Sequence, residues 1–105
     1  MDIQIKKGLL DACVLRVLTK EESYGYKIIQ DLAPFIEISE STLYPVLKRL
    51  EAAEFVTTWT KEQNGRLRRY YMITQAGQQN LADFRRNSHT IIRIIDYITN
   101  GGTSA

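Results

Sequence analysis

Cys13 and His89 are the only cysteine and the only histidine in the chain, and neither has the companions that a reaction would need. A catalytic nucleophile needs a base within hydrogen-bond reach, and a metal needs several clustered ligands. The sequence offers no nucleophile–histidine set, no glycine-rich phosphate loop and no Cys/His cluster, so an enzyme is the disfavoured class and neither cofactor nor metal is expected. Cys13 falls on an apolar helical stripe and reads as a small buried hydrophobe, while His89 lies beside an apolar seam and reads as a surface or interface residue. A lone cysteine makes no internal disulfide, which fits a reducing cytoplasm.

The remaining chemistry is cationic. Net charge over the 105 residues is only +2, yet the excess is local: residues 41–71 carry six basic and three acidic side chains, against five and seven in residues 1–40. Within that middle segment Leu43, Val46, Leu47 and Leu50 follow the i, i+3, i+4, i+7 pattern of a helix with one apolar face. At about 100° per residue the opposite face is Ser41, Pro45, Lys48, Arg49 and Ala52, flanked by Thr42 and Tyr44. Such a face can donate and accept at base edges and hold phosphates. Taken alone, Lys48 and Arg49 also suit a solvated helix face paired with Glu51 or Glu54. Ser41 as N-cap would leave Pro45 in the first turn, where its missing N–H costs least; Ser39 as N-cap would put it a turn inside.

A second cationic cluster follows. Phe55 to Thr60 and Tyr70 to Thr74 are β-branched and aromatic, as strands require, and Asn64-Gly65 between them is the dipeptide that most readily takes the two positive-φ positions of a tight hairpin turn. Arg66, Arg68 and Arg69 beside that turn, with Lys61 on the incoming strand, make a flexible cationic tip suited to a minor groove or a row of phosphates. Charged side chains on a two-stranded hairpin also protect its edges from pairing, but three arginines exceed that need. Trp59 on the first strand is expected in the core, with a ligand platform as the lesser reading.

These side chains must be held by the elements around them. Leu9, Leu10, Cys13, Val14, Val17 and Leu18 form the apolar stripe of a first helix. A polar break from Thr19 to Ser23 follows, with Ser23 able to cap a second helix; there Tyr24 and Tyr26 precede Ile28, Ile29, Leu32 and Ile36, and Pro34 limits the end. After Thr74, Leu81, Phe84, Ser88, Ile91, Ile95 and Ile98 are spaced as a heptad seam flanked by Ile92 and Ile94, with Gly101 and Gly102 as the stop. That surface is wider than a helix of so small a domain can cover with its own core, so a second copy is expected on it. The apolar run after Lys6 and Lys7 is broken by Asp11 and Arg16, and the C-terminal one by Arg93 and Asp96; neither export nor a membrane partner is expected.

Three helices followed by a basic hairpin give a fold class that is mainly α with a two-stranded β-wing: a winged helix-turn-helix plus a long C-terminal dimerisation helix. The expected division is a DNA-binding unit over 1–74, the dimerisation helix over 75–100 and a disordered tail over 101–105. The partners this implies are double-stranded DNA and a second copy of the chain. The rival is a winged helix that binds only protein, whose recognition face would be apolar or acidic rather than hydroxylated and basic.

Over nearly its whole length the chain resembles the PadR family of bacterial transcriptional regulators in its shorter form with one C-terminal dimerisation helix. The resemblance rests on Gly8-Leu9-Leu10, Tyr24-Gly25-Tyr26, Ser41-Thr42-Leu43-Tyr44-Pro45 with Leu47-Lys48-Arg49-Leu50-Glu51, and Gly65-Arg66-Leu67-Arg68-Arg69-Tyr70-Tyr71 with Thr74 and Gly77. It implies a dimeric repressor of operator DNA released by a small hydrophobic or aromatic effector, with the third helix in the major groove, the wing on the flanking backbone, and the first helix sharing the dimer interface. Two departures matter. Glu54 stands where the family has a glycine closing the third helix, at a cost of about 1 kcal/mol if the left-handed cap is kept. Ser88 stands where a multidrug-binding relative places a drug-stacking tryptophan, so the ring that drug binding by that route needs is absent.

Overall fold

The computed structural model describes residues 3–101, with side chains from Gly8 onward. In chain order the elements are α1 (Ile3–Leu18), α2 (Gly25–Leu32), α3 (Glu40–Ala52), β1 (Val56–Gln63), β2 (Arg66–Ile73) and α4 (Gln75–Asn100). The tail expected beyond Gly101 lies outside the described residues.

One apolar core joins the first three helices to the root of the sheet. Leu10, Val14, Leu15 and Leu18 of α1 meet Ile28 and Leu32 of α2, Leu43, Val46, Leu47 and Leu50 of α3, and Val56 and Tyr71 of the hairpin. Leu15 is fully buried although it stands off the paired stripe read from the sequence, because α1 is covered from more than one side. Ile36 lies beyond α2, which stops at Leu32 ahead of Pro34.

Ser23 does not cap α2. The N-cap is Tyr24, with no side-chain capping bond. Ser23 instead adds a third, one-residue rung to the sheet: Tyr71 N donates to Ser23 O at 2.7 Å and Ser23 N to Tyr71 O at 3.1 Å. Its buried hydroxyl finds no partner among the described residues.

The strands are longer than the apolar residues suggested. They pair antiparallel from Val56↔Ile73 out to Gln63↔Arg66, so Arg66, Arg68 and Arg69 lie within β2 rather than in a loose tip. A tight turn explains the extension: Asn64 and Gly65 have φ of 54° and 77°, which matches the strands' twist and keeps the polar outer half in register.

The α3–β1 junction is a left-handed helix stop made without glycine. Glu54 keeps φ at 63°, with Glu54 N donating to Glu51 O and Phe55 N to Leu50 O, both at 2.9 Å. Thr74 then caps α4, its Oγ1 accepting from Gly77 N at 3.0 Å. The chain is so tight here that a Cβ on Gly77 would sit 2.2 Å from the Phe55 carbonyl oxygen.

Helix α4 runs 26 residues, about 39 Å at 1.5 Å per residue. Its first half leans on α1 and β2, leaving Leu81, Phe84 and Ser88 half-buried. Its second half runs clear of the core, and Ile91, Ile92, Ile94, Ile95, Tyr97 and Ile98 are all exposed. Among the described residues no helix is long and apolar enough to cross a membrane.

Candidate nucleic-acid interface

The N-terminus of α3 is capped by Ser39, the alternative that leaves Pro45 inside the helix. Thr42 N donates to Ser39 Oγ at 3.3 Å, and the hydroxyls of Ser41 and Thr42 gather on the same oxygen at 2.9 and 3.2 Å. Pro45 is therefore a turn in, and α3 runs through it to Ala52. The missing N–H leaves the Ser41 carbonyl without an i+4 donor, which an exposed site tolerates because water can serve it.

The predicted outer face is outward. Ser41, Tyr44, Pro45 and Lys48 are exposed, Thr42 is half-buried, and Leu43, Val46, Leu47 and Leu50 are buried beneath them. Tyr44 packs over the start of α2 so closely that a Cβ on Gly25 would lie 2.7 Å from its hydroxyl oxygen. A side chain at 25 would have to displace the Tyr44 ring from this position.

Arg49 behaves differently from its neighbour. Its guanidinium pairs with Asp11 of α1, rather than with Glu51 or Glu54, and braces α1 against α3. No spacing rule on α3 could find this partner, 38 positions away in sequence. Lys48, Lys61 and Arg66 make no ion pair among the described residues, so their charge is available to an outside anion.

The wing arginines divide by strand face. Arg68 extends over the Tyr24 ring at 4.1 Å, with Nη1 donating to Gln63 Oε1 at 3.2 Å. Arg69 points to the other face, where Nη2 donates to Glu51 Oε1 and Oε2 at 3.0 and 2.8 Å and to Thr58 Oγ1 at 3.3 Å. Glu51 thus pairs across to the wing rather than along α3 with Lys48 or Arg49. Burial pushes the Tyr71 phenol upward in pKa, with the Arg69 charge pulling the other way.

Trp59 is not in the core. It stacks on Tyr70 with centroids 4.7 Å apart on the wing's outer face, its Nε1 donating to Glu22 at 2.8 Å. Tyr70 meets Tyr24 edge-on, so an aromatic row links β1 and β2 to the rung beside Ser23. Between wing and helices lies a cleft lined by Tyr24, Tyr26, Tyr44, Asn64, Arg66, Arg68 and Arg69, which brings Tyr44, alone of the predicted α3 residues, together with four of the predicted wing residues.

A family model described as the transcriptional regulator PadR-like family matches residues 14–83, which span α1 to the first part of α4. The chain belongs to the PadR-like family of transcriptional regulators. A transcriptional regulator of Mycobacterium tuberculosis is 33% identical over 81 residues, covering 76% of this chain and 76% of that protein. The crystal structure of a PadR-like transcriptional regulator of Bacillus cereus superposes with a TM-score of 0.76 at 29% identity, covering 92% of this chain and 97% of its own. The PadR of Bacillus subtilis, solved in complex with operator DNA, gives a TM-score of 0.67 at 32% identity, covering 72% of this chain and 45% of the other. In this PadR-like chain the winged helix-turn-helix and long C-terminal helix are present as the sequence led one to expect.

Proposed function

We propose that this PadR-like regulator binds double-stranded operator DNA in the cytoplasm as a homodimer and represses the genes it controls. Helix α3 lies in the major groove, with Ser41, Thr42, Tyr44, Pro45 and Lys48 facing the bases and backbone. The wing meets the flanking backbone through Lys61, Asn64, Gly65, Arg66 and Arg68. The observation that carries the reading is the meeting of Tyr44, on the outward face of α3, with Arg66 and Arg68 of the wing in one cleft. Repression has its support in the B. subtilis relative, a negative transcriptional regulator 33% identical over 81 residues. A protein-only winged helix would present an apolar or acidic face there. For the dimer, the support is the unpartnered isoleucine surface of α4; Leu81, Phe84 and Ser88 continue its seam up to the groove beside α1. Release by a small hydrophobic or aromatic effector completes the proposal, and its structural support is the half-exposed Trp59–Tyr70 stack on the wing's outer face.

A mobility-shift titration across salt concentrations tests it. The logarithm of affinity should fall with log salt by about −0.9 per phosphate neutralised, and Arg66→Ala should flatten that slope by about one. Binding that ignores salt overturns the reading, and a slope unchanged in both Arg66→Ala and Arg68→Ala removes the wing from the interface.

A further inference from the structure

We infer that Glu51 is a positioning residue for DNA recognition, acting through Arg69 to fix the angle between α3 and the wing, and that Arg69 is a strut rather than a phosphate ligand. The inference rests on the DNA-binding reading above and deepens it.

Three contacts meet at one carboxylate, and a fourth joins its two partners. Glu51 takes both bonds from Arg69 Nη2, Thr58 Oγ1 donates to its Oε2 at 3.1 Å, and Arg69 closes the triangle onto Thr58. Glu51 is on the last turn of α3, Thr58 is on β1 and Arg69 on β2, so the cluster ties the recognition helix to both strands. Arg69 lies opposite Thr60, four residues out from Val56 at the root, or about 13 Å along the strand.

Leverage gives that tie its importance. The eight residues of β1 extend about 26 Å, so a rotation of about 10° at the root moves the turn by roughly 4.5 Å, beyond the reach of a hydrogen bond. The Glu54–Phe55 junction anchors only the root. On the opposite face of β2 the neighbouring Arg68 rests on Tyr24, so adjacent arginines brace the wing from both sides. Half-exposed ion pairs of this kind contribute little to global stability, and the consequence of this one lies in where it holds Arg66 and Lys61.

A double-mutant cycle separates strut from ligand. The full-length protein and its Glu51→Gln, Arg69→Met and double variants are titrated with a duplex that the wild type enriches from a random pool. Thr58→Val serves as a second break in the triangle, and amide hydrogen exchange of the hairpin is followed without DNA. The expected result is a loss on the order of tenfold in each single variant, no further loss in the double, an unchanged salt slope, and faster exchange in β1 and β2 with α1 and α2 unaffected. A salt slope flattened by about one in Arg69→Met, additive losses, or Glu51→Gln binding as well as the wild type would overturn the assignment. Wild type that enriches no duplex would overturn the DNA reading itself and this proposal with it, whereas hairpin exchange still reports the strut without DNA.

Discussion

Thr74 Oγ1 donates to the carbonyl oxygen of Glu54 at 2.7 Å, and Glu54 is the residue that leaves α3 in the left-handed conformation, with φ at 63°. The bond crosses from the end of α3 to the start of α4, so one hydroxyl both caps α4 and holds the stop of α3. A non-glycine residue pays about 1–2 kcal/mol to sit there. Glu54→Gly removes that strain but loosens the unfolded chain, for a net gain of about 0.5–1 kcal/mol. Thermal melting at fixed protein concentration should show a rise of a few degrees; a lower midpoint would mean that the glutamate side chain contributes something the strain does not outweigh.

Gly77 has no such latitude. A methyl group there meets a backbone oxygen at 2.2 Å and the Ile73 side chain at 2.8 Å, and that oxygen already accepts from Thr74 N. Gly77→Ala should therefore destabilise by about 1–3 kcal/mol, although helix propensity alone favours alanine. Denaturant unfolding decides between the two, since propensity predicts a higher midpoint and the clash a lower one.

Lys48 and Arg49 are adjacent cations that should separate in experiment. Lys48→Ala should flatten the salt dependence of DNA binding by about one, whereas Arg49→Ala should leave the slope unchanged and cost up to about 1 kcal/mol of stability through the lost Asp11 pair. Asp11→Asn should reproduce the stability loss. Equal slopes for Lys48→Ala and Arg49→Ala would contradict the division.

The contrast between these two residues shows what the sequence could and could not disclose. Periodicity located α3 and its outward face because burial of Leu43, Val46, Leu47 and Leu50 is a property of the helix alone. Asn64-Gly65 located the hairpin because a tight turn is local chemistry. The partners of Arg49 and Arg69 lie on other elements, at Asp11 and Glu51, and no local rule reaches them. The proline argument favours Ser41 over Ser39 as the cap without excluding either, and Ser39 caps because the carbonyl that Pro45 leaves without a donor is open to solvent. Ser23 is a good cap by type, yet pairing with Tyr71 buries it.

Alkaline pH should weaken the fold. Burial raises the pKa of Cys13 and of Tyr71, and hydrogen bonding to Glu21 raises that of Lys27. In all three the folded state holds its proton longer than the unfolded chain. Stability is then undiminished below the unfolded pKa values and falls as pH rises from about 8.5, where free thiols ionise, through about 10 for tyrosine and lysine. Cys13→Ala should remove the earliest part of the decline in a series of melts. Native Cys13 should also react with iodoacetamide more slowly at pH 8 than it does in urea; equal rates would mean the thiol is open.

The exposed end of α4 makes the sharpest demand on assembly. Ile91, Ile95 and Ile98 lie on the seam at 41%, 54% and 72% exposure, with Ile92 and Ile94 beside them at 62% and 54%. The helix does not fold back to cover them. Full burial of an exposed isoleucine is worth about 1.5–3 kcal/mol, and these five have a little over half of that left to gain, so they bring about 4–9 kcal/mol per chain, twice that for two chains, against an association cost of about 4–15 kcal/mol. A second α4, with the half-buried Leu81 and Phe84 continuing the seam, would tip that balance. DNA selectivity follows, because two recognition helices on a two-fold axis read half-sites about 34–36 Å apart and one alone reads too few bases. The double variant Ile91→Asp, Ile95→Asp should remain folded, since neither residue reaches the core, yet sediment as a monomer and lose selective binding. A wild type that is monomeric at micromolar concentration, or a folded variant that still dimerises, would show that the seam serves some other surface.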